Sequence, residues 1–250
     1  MENLLSVVMD IAEQMLISGA EVHRAEESVK RMCTALGATR TDVFIITSSI
    51  LVTIYCEDET PYTQSRRIVA SGTDYEKLHR LNNLSRKICE KKMTLDEIKT
   101  EFSSAINVKS YPFSAECACY AIIAAVFTLF FGGNFTEMII SLFVGLVVRF
   151  GILFAEKTLP NKIFPKFFAA AVATFFAYVA VKLGFISDVD KVIIGNIMTL
   201  IPGIGLTNAL RDLFMGDSIA GLLRSIEAVL IAVAIAAGYF LVAVLGGFIV

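Results

Sequence analysis

The feature that most limits how this chain can fold is the series of apolar runs filling its second half. An α-helix rises 1.5 Å per residue, so about 20 apolar residues cross the ~30 Å hydrocarbon layer of a bilayer. Runs of that kind lie at about 114–131, 136–154, 166–186, 192–215 and 222–248. Charge is segregated to match. Residues 1–112 hold 14 Lys/Arg and 16 Asp/Glu, whereas residues 113–250 hold only 8 and 8. The pattern predicts a soluble domain over 1–112 and a membrane domain of five transmembrane helices over 113–250. A mean hydropathy of +0.68 and 56% apolar residues lie above the soluble range.

The fourth run is interrupted. "LIPGIGLTNALRDLFMGD", residues 200–217, puts a proline, two close glycines, a Thr-Asn pair and an Arg-Asp pair where a span should be continuous. Val192 to Ile201 and Leu206 to Met215 are each ten residues, about 15 Å of helix or half a membrane. Pro202 and Gly203 are therefore expected to break the helix near the bilayer centre. Unwound backbone at that depth must be buried in protein or line a wet cavity, and Gly/Pro-interrupted spans point to transporter binding sites. A plain proline kink gives the same local sequence.

Polar residues around the break decide what it could do. Asn196, Thr199, Thr207 and Asn208 straddle it, and Arg211 and Asp212 follow about two turns on. Arg224 and Glu227 open the last run, and Arg149 closes the second. Ionisable groups in a membrane are expensive and face a cavity or one another. An arginine fork suits a carboxylate, but the same arginines could be edge anchors that snorkel.

The first domain reads as a small α+β fold. Helices are expected over 3–17 and 20–36, strands in "DVFIITSS", "ILVTIYC" and "YTQSRRIVAS", and helices again from Asp74 and from the Thr94-x-x-Glu97 capping box to about 106. Glu21, Arg24, Glu26 and Glu27 make either a surface ion-pair set or a regulatory or subunit contact. Asp58 and Glu59 fall in a solvated turn. No nucleophile elbow, Walker loop, CxxC or HExxH is present. No catalytic residue, metal or cofactor is expected. The five cysteines read as packing residues, and a net charge of −2 argues against nucleic acid. The N-terminus lacks a signal-peptide pattern. Basic loops place residues 1–112 and the 155–166 (Lys157, Lys162, Lys166) and 211–224 connections inside, and the C-terminus outside.

"LIPGIGLTNALRDLFMGDSIAGLLRSIEA" resembles the signature of the threonine/serine exporter family. "SGAEVHRAEESVKRMCTALG", "DYEKLHRLNNLSRKI" and "VIIGNIMTLIPG" resemble other family elements in the same order. The chain is similar to the longer subunit of the split, two-component exporters, which carries the soluble domain. The resemblance implies a bacterial inner-membrane exporter of a small carboxylate-bearing solute, threonine/serine or a dicarboxylate such as succinate, driven by a coupling ion or proton. It also implies a short five-span partner subunit; a homo-oligomer is the other arrangement considered. It marks Pro202, Gly203, Thr207, Asn208, Arg211, Asp212, Gly216 and Asp217 without giving each a task. Physical chemistry suggests Asn196, Pro202, Gly203, Thr207, Asn208 and Arg211 for the substrate. Asp212, Asp217, Arg224 and Glu227 suit ion coupling or gating, and Glu21, Arg24 and Glu26 a soluble-domain contact. The competing expectations are a membrane-anchored hydrolase and a metabolite sensor.

Overall fold

Helix α1 (Glu2–Ile17) buries the face that the 3.6-residue period turns inward, with Leu5, Val8, Met9, Ile11, Ala12, Met15 and Leu16 buried and Leu4 half-buried at its start. These residues come from the computed structural model of the chain, which describes residues 2–57, 60–91, 93–109, 111–158 and 163–247. Asp58, Glu59 and Lys162 therefore lie outside the described residues. The chain divides into two units, residues 1–109 with 206–225, and residues 110–205 with 226–250.

In the first unit, α1 shares its core with α2 (Val22–Ala35), which contributes Val22, Ala25, Val29 and Met32. Three strands follow, β1 (Arg40–Ile46), β2 (Ser49–Tyr55) and β3 (Pro61–Arg67), paired antiparallel in the order β1-β2-β3. The register sets Phe44 opposite Leu51 and Val52 opposite Gln64. Alternation along β2 sends Ile50, Val52 and Ile54 inward and leaves Leu51 exposed. Helix α3 (Tyr75–Glu90) starts at Asp74, whose side chain accepts from Lys77 N–H, and buries Leu81, Leu84 and Ile88. Helix α4 (Leu95–Ile106) opens on the expected capping box between Thr94 and Glu97. The small sheet among helices is the α+β arrangement expected from the sequence.

The second unit is all-helical: α5 (Phe113–Phe130), α6 (Phe135–Thr158), α7 (Phe164–Lys182) and α8 (Val189–Ile197), then most of α10 (Ser218–Gly247). Four helices, α5, α6, α7 and α10, are long and apolar enough to cross a membrane. Their packing is inverted relative to a water-soluble bundle. Helix α7 buries Ala169, Ala170, Ala173, Thr174, Ala177 and Ala180 and exposes Phe168, Phe175 and Phe176. Small side chains let helices approach, and large apolar ones face lipid, which costs nothing there.

The fourth apolar run differs from its expected form. It is two short helices, α8 and α9 (Gly203–Met215), separated by residues 198–202. The interruption begins before the Pro-Gly pair and ends at Pro202, and Gly203 is already the first residue of α9. Proline explains the position: it bars Pro202 from continuing α8 and restricts Ile201 before it, while a helix can begin immediately after. Residues 206–225 group with the first unit.

Candidate functional site

The first unit gathers several of the expected residues at the turn between α1 and α2. Two residues past the end of α1, Gly19 takes a left-handed conformation, φ 95°, with Gly19 N–H donating to Leu16 O and Ala20 N–H to Met15 O. Any other residue would be strained there, and its Cβ would sit 3.2 Å from the Gly72 carbonyl oxygen. The turn leaves backbone groups that neither helix satisfies. Side chains from 208–224 meet three of them. Asn208 Nδ2 donates to Gly19 O at 3.3 Å, Arg224 Nη2 donates to Ala20 O at 2.8 Å, and Val22 N–H donates to Asp212 Oδ1 at 3.3 Å. Glu21 offers no side-chain cap of its own, so Asp212 supplies the anion at the positive end of α2.

Charge closes this clasp. Asp212 is 1% exposed and forms an ion pair with Arg224 Nη1 at 2.9 Å. Arg211 pairs with Glu21 across 190 residues of sequence, and Arg24 lies 3.7 Å from the other Glu21 oxygen. Glu26 is half-buried and accepts from Ile45 N–H at 3.1 Å. Burial pushes its carboxyl above the ordinary 4.5; the Ile45 N–H opposes the shift and the nearby Asp217 adds to it. Asp217 N–H donates to Asp212 O at 2.9 Å, which holds the corner between α9 and α10.

The second unit holds a different kind of polar site. Asn196, near the end of α8, is 0% exposed, and its Nδ2 donates to Ser141 Oγ and Val192 O, both at 2.9 Å. Thr128 Oγ1 lies 2.7 Å from Ser141 Oγ, and Ser141 Oγ donates to Ala124 O at 3.1 Å. The cluster thus joins α5, α6 and α8 through three uncharged, fully buried side chains. Gly195 makes this possible: a Cβ there would lie 2.1 Å from Thr128 Oγ1 and 2.8 Å from Ala124 O. Among the described residues, Asn196 Oδ1 finds no donor. A buried acceptor left without one costs about 1–3 kcal/mol.

A profile of the family described as "Putative threonine/serine exporter" matches residues 6–246. The chain belongs to that threonine/serine exporter family. It is 24% identical over 242 residues to the "Probable threonine/serine exporter" of Mycobacterium tuberculosis, an alignment covering 94% of this chain and 45% of the relative. The chain therefore spans about half the length of that curated relative. No solved structure matches it significantly. Membership and four span-length apolar helices make it a multi-pass membrane protein.

In this threonine/serine exporter family chain, the residues expected at one place fall in two. Asn208, Arg211, Asp212 and Arg224 join Glu21 in the clasp, with Asp217 and Glu26 beside it. Arg24 is mostly exposed, and its tie is the contact with Glu21. Asn196 is on α8 in the other unit, and Thr207 is exposed on α9. Pro202 is half-buried before α9, and Gly203 is exposed as its first residue. Glu227 is exposed on α10. Arg149 pairs with Glu116 and lies 5.3 Å and 5.6 Å from the Phe113 and Tyr120 ring centroids. Of the cysteines, Cys33 and Cys117 are buried, while Cys89 and Cys119 are exposed rather than packed. Sequence reasoning missed Thr128, Ser141 and the backbone of Gly19, Ala20 and Val22. A hydroxyl inside an apolar run was the only signal for the first two.

Proposed function

We propose that this chain is one half of a secondary-active exporter of a small carboxylate-bearing solute, threonine or serine or a dicarboxylate such as succinate. The observation that carries this is the fully buried polar cluster at the end of the short helix α8, set among apolar helices. Polar groups so placed mark solute or ion pathways, and interrupted helices are where transporters build them. Family membership supports the same class. A hydrolase would need a nucleophile and base held together, which neither the clasp nor the cluster supplies.

Topology follows by parity. If the first unit stays on one face of the membrane, the chain leaves that face after residue 109 and is back on it by 206. The number of crossings between must be even. Helices α5, α6 and α7 make three, so the segment containing α8 and running to about 205 makes the fourth. With α10 the total is five, and an N-terminal unit in the cytoplasm puts the C-terminus outside the bacterial inner membrane. The fourth crossing then ends before α9. A chain half as long as its relative, with an odd number of crossings, is complemented by a second, oppositely inserted five-span half. The exposed apolar side of α10, with Val229, Val233 and Phe240, offers that half a surface.

Within this scheme Asn196 binds the solute or its coupling ion beside the 198–202 break. Pro202 and Gly203 fix where the backbone changes course, and Thr207 lies where the crossing meets the face. Asn208, Arg211, Asp212 and Arg224 hold residues 206–225 to the Gly19–Val22 turn within the first unit, and Asp212, Asp217 and Arg224 are the groups assigned to coupling or gating. Glu227 is left to take a coupling proton. Efflux from vesicles holding the full chain with a second half tests the scheme. Wild type should export threonine, serine or succinate, and Asn196→Leu should lose at least about tenfold in rate while still inserting. Undiminished efflux by the variant removes Asn196 from the pathway, and no efflux of any of the three solutes by wild type removes the exporter assignment.

A further inference from the structure

The hydrogens of the second unit's polar cluster are all committed inward. The Thr128 hydroxyl has Ser141 Oγ and Ala124 O as its acceptors, the Ser141 hydroxyl reaches Ala124 O, and the two Asn196 amide hydrogens reach Ser141 Oγ and Val192 O. Turning the Asn196 amide over would set its oxygen against the Val192 carbonyl, so the orientation is fixed by chemistry. What the cluster has left to offer is lone pairs, foremost those of Asn196 Oδ1, 0% exposed and without a donor among the described residues. Its setting has the same sign. Asn196 is the penultimate residue of α8, at the end where aligned peptide dipoles carry partial negative charge. Thr199 Oγ1, just beyond, donates to Asn196 O at 2.7 Å. None of Thr128, Ser141, Asn196 and Thr199 titrates near neutral pH.

Resting on the exporter reading and deepening it, we infer that Asn196, braced by Ser141 and Thr128, receives a positively charged group, an alkali cation or the ammonium of an amino-acid solute. Acceptor oxygens at a helix C-terminus attract a cation and repel a carboxylate. The solute's carboxylate is therefore held elsewhere, and a coupling proton is not carried here. Asn196 sets the sign of what it binds, and Ser141 and Thr128 are positioning residues.

The test is binding to the purified full chain in nanodiscs, read as melting temperature and by titration calorimetry. The probes are sodium chloride against choline chloride, and L-threonine against 3-hydroxybutanoate, which lacks only the ammonium. Wild type should be stabilised by sodium or by threonine, and 3-hydroxybutanoate should do nothing. Asn196→Leu should abolish the response, whereas Asn196→Asp, which adds a negative charge in the same shape, should raise affinity about tenfold or more. If Asn196→Leu does not fold, Asn196→Asp and a weakened response in Ser141→Ala carry the test. A sodium response in choline background identifies an alkali cation, and a threonine response without sodium identifies the ammonium. The inference is overturned if neither probe shifts wild type, if the shift survives in Asn196→Leu, or if 3-hydroxybutanoate matches threonine without a sodium response. Each of those outcomes leaves efflux by wild-type vesicles untouched, and it is the loss of that efflux that would end the exporter assignment.

Discussion

Asp212 and Asn196 are both buried, at 1% and 0% exposure, yet the two units treat them in opposite ways. Asp212 carries a full charge and is answered by one: Arg224 pairs with it at 2.9 Å, and the Val22 N–H adds a hydrogen bond. Asn196 carries no charge, and its oxygen is answered by nothing among the described residues. A buried ion must be paired or the fold fails, so the Asp212 pair is a structural pin. A neutral acceptor without a donor costs less, so a fold can tolerate it where a ligand will later supply the partner. The clasp holds the chain together; the cluster keeps an atom in reserve.

Breaking the pin should give the largest effect. Asp212→Asn leaves Arg224 buried without its counter-charge and should cost the first unit about 3–5 kcal/mol. Hydrogen exchange read at the Val22 amide, which loses a carboxylate acceptor, would report it locally. Replacing both partners with apolar residues of similar volume, Asp212→Leu with Arg224→Met, should restore most of the loss, because the pair's desolvation cost disappears with it. Unchanged stability in Asp212→Asn would show that the pair is solvated and the clasp loose.

The second unit should fail by crowding instead. Gly195→Ala puts a Cβ 2.8 Å from the Ala124 carbonyl oxygen and the Thr128 backbone nitrogen, atoms that move only if a helix moves. Overpacking of this kind costs about 1–3 kcal/mol. Adding Thr128→Ala removes the 2.1 Å clash with Oγ1 but not the backbone ones, so rescue should be partial. Thermal denaturation of the full chain measures the loss, and exchange at Val22 should stay at the wild-type rate. A faster Val22 amide in Gly195→Ala would mean that the two sites are not energetically separate.

How much of this could be read beforehand differs between the same two regions. The helices of the first unit declare themselves by period and by the Thr94–Glu97 box, and the strands by β-rich runs between turns. The apolar helices are legible because length and hydropathy alone set the criterion. The fate of residues 206–215 is not legible in this way. Their composition suits a span, with Leu206, Leu210, Phe214 and Met215 exposed, and only Ala209 and Asp212 are buried in α9. What identifies the segment is its partners, the Gly19–Val22 turn about 190 positions earlier, and no local window contains both. Thr128 and Ser141 escaped for a related reason. A lone hydroxyl in an apolar run ordinarily bonds back to its own helix, as Thr128 also does to Ala124 O, and only the fold shows a third helix arriving.

The outer edge of the clasp should matter less than its centre. Arg211 has 52% of its side chain exposed, so its pair with Glu21 is screened and worth about 0–1 kcal/mol. Arg211→Ala should therefore barely change stability, and what it changes should vanish in high salt. If Arg211→Ala destabilises the first unit as much as Asp212→Asn, the exposed pair is part of the pin after all.

The smallest effect is a slope rather than a shift. Burial and the neighbouring Asp217 hold the Glu26 carboxyl above its ordinary 4.5 in the folded chain, while the unfolded chain titrates at the ordinary value. Between those two values the folded state keeps a proton that the unfolded state has released. The stability this contributes is complete below the unfolded value and is lost as pH rises through the folded one. The first unit should accordingly lose stability as pH climbs out of the mildly acidic range. Glu26→Gln, which keeps an acceptor for the Ile45 N–H, should flatten that slope and gain stability at neutral pH. Asp217→Asn, removing a like charge but leaving the burial, should flatten it only in part. Denaturation midpoints taken across this pH range decide the matter, because a slope unchanged in Glu26→Gln would assign the proton to another group.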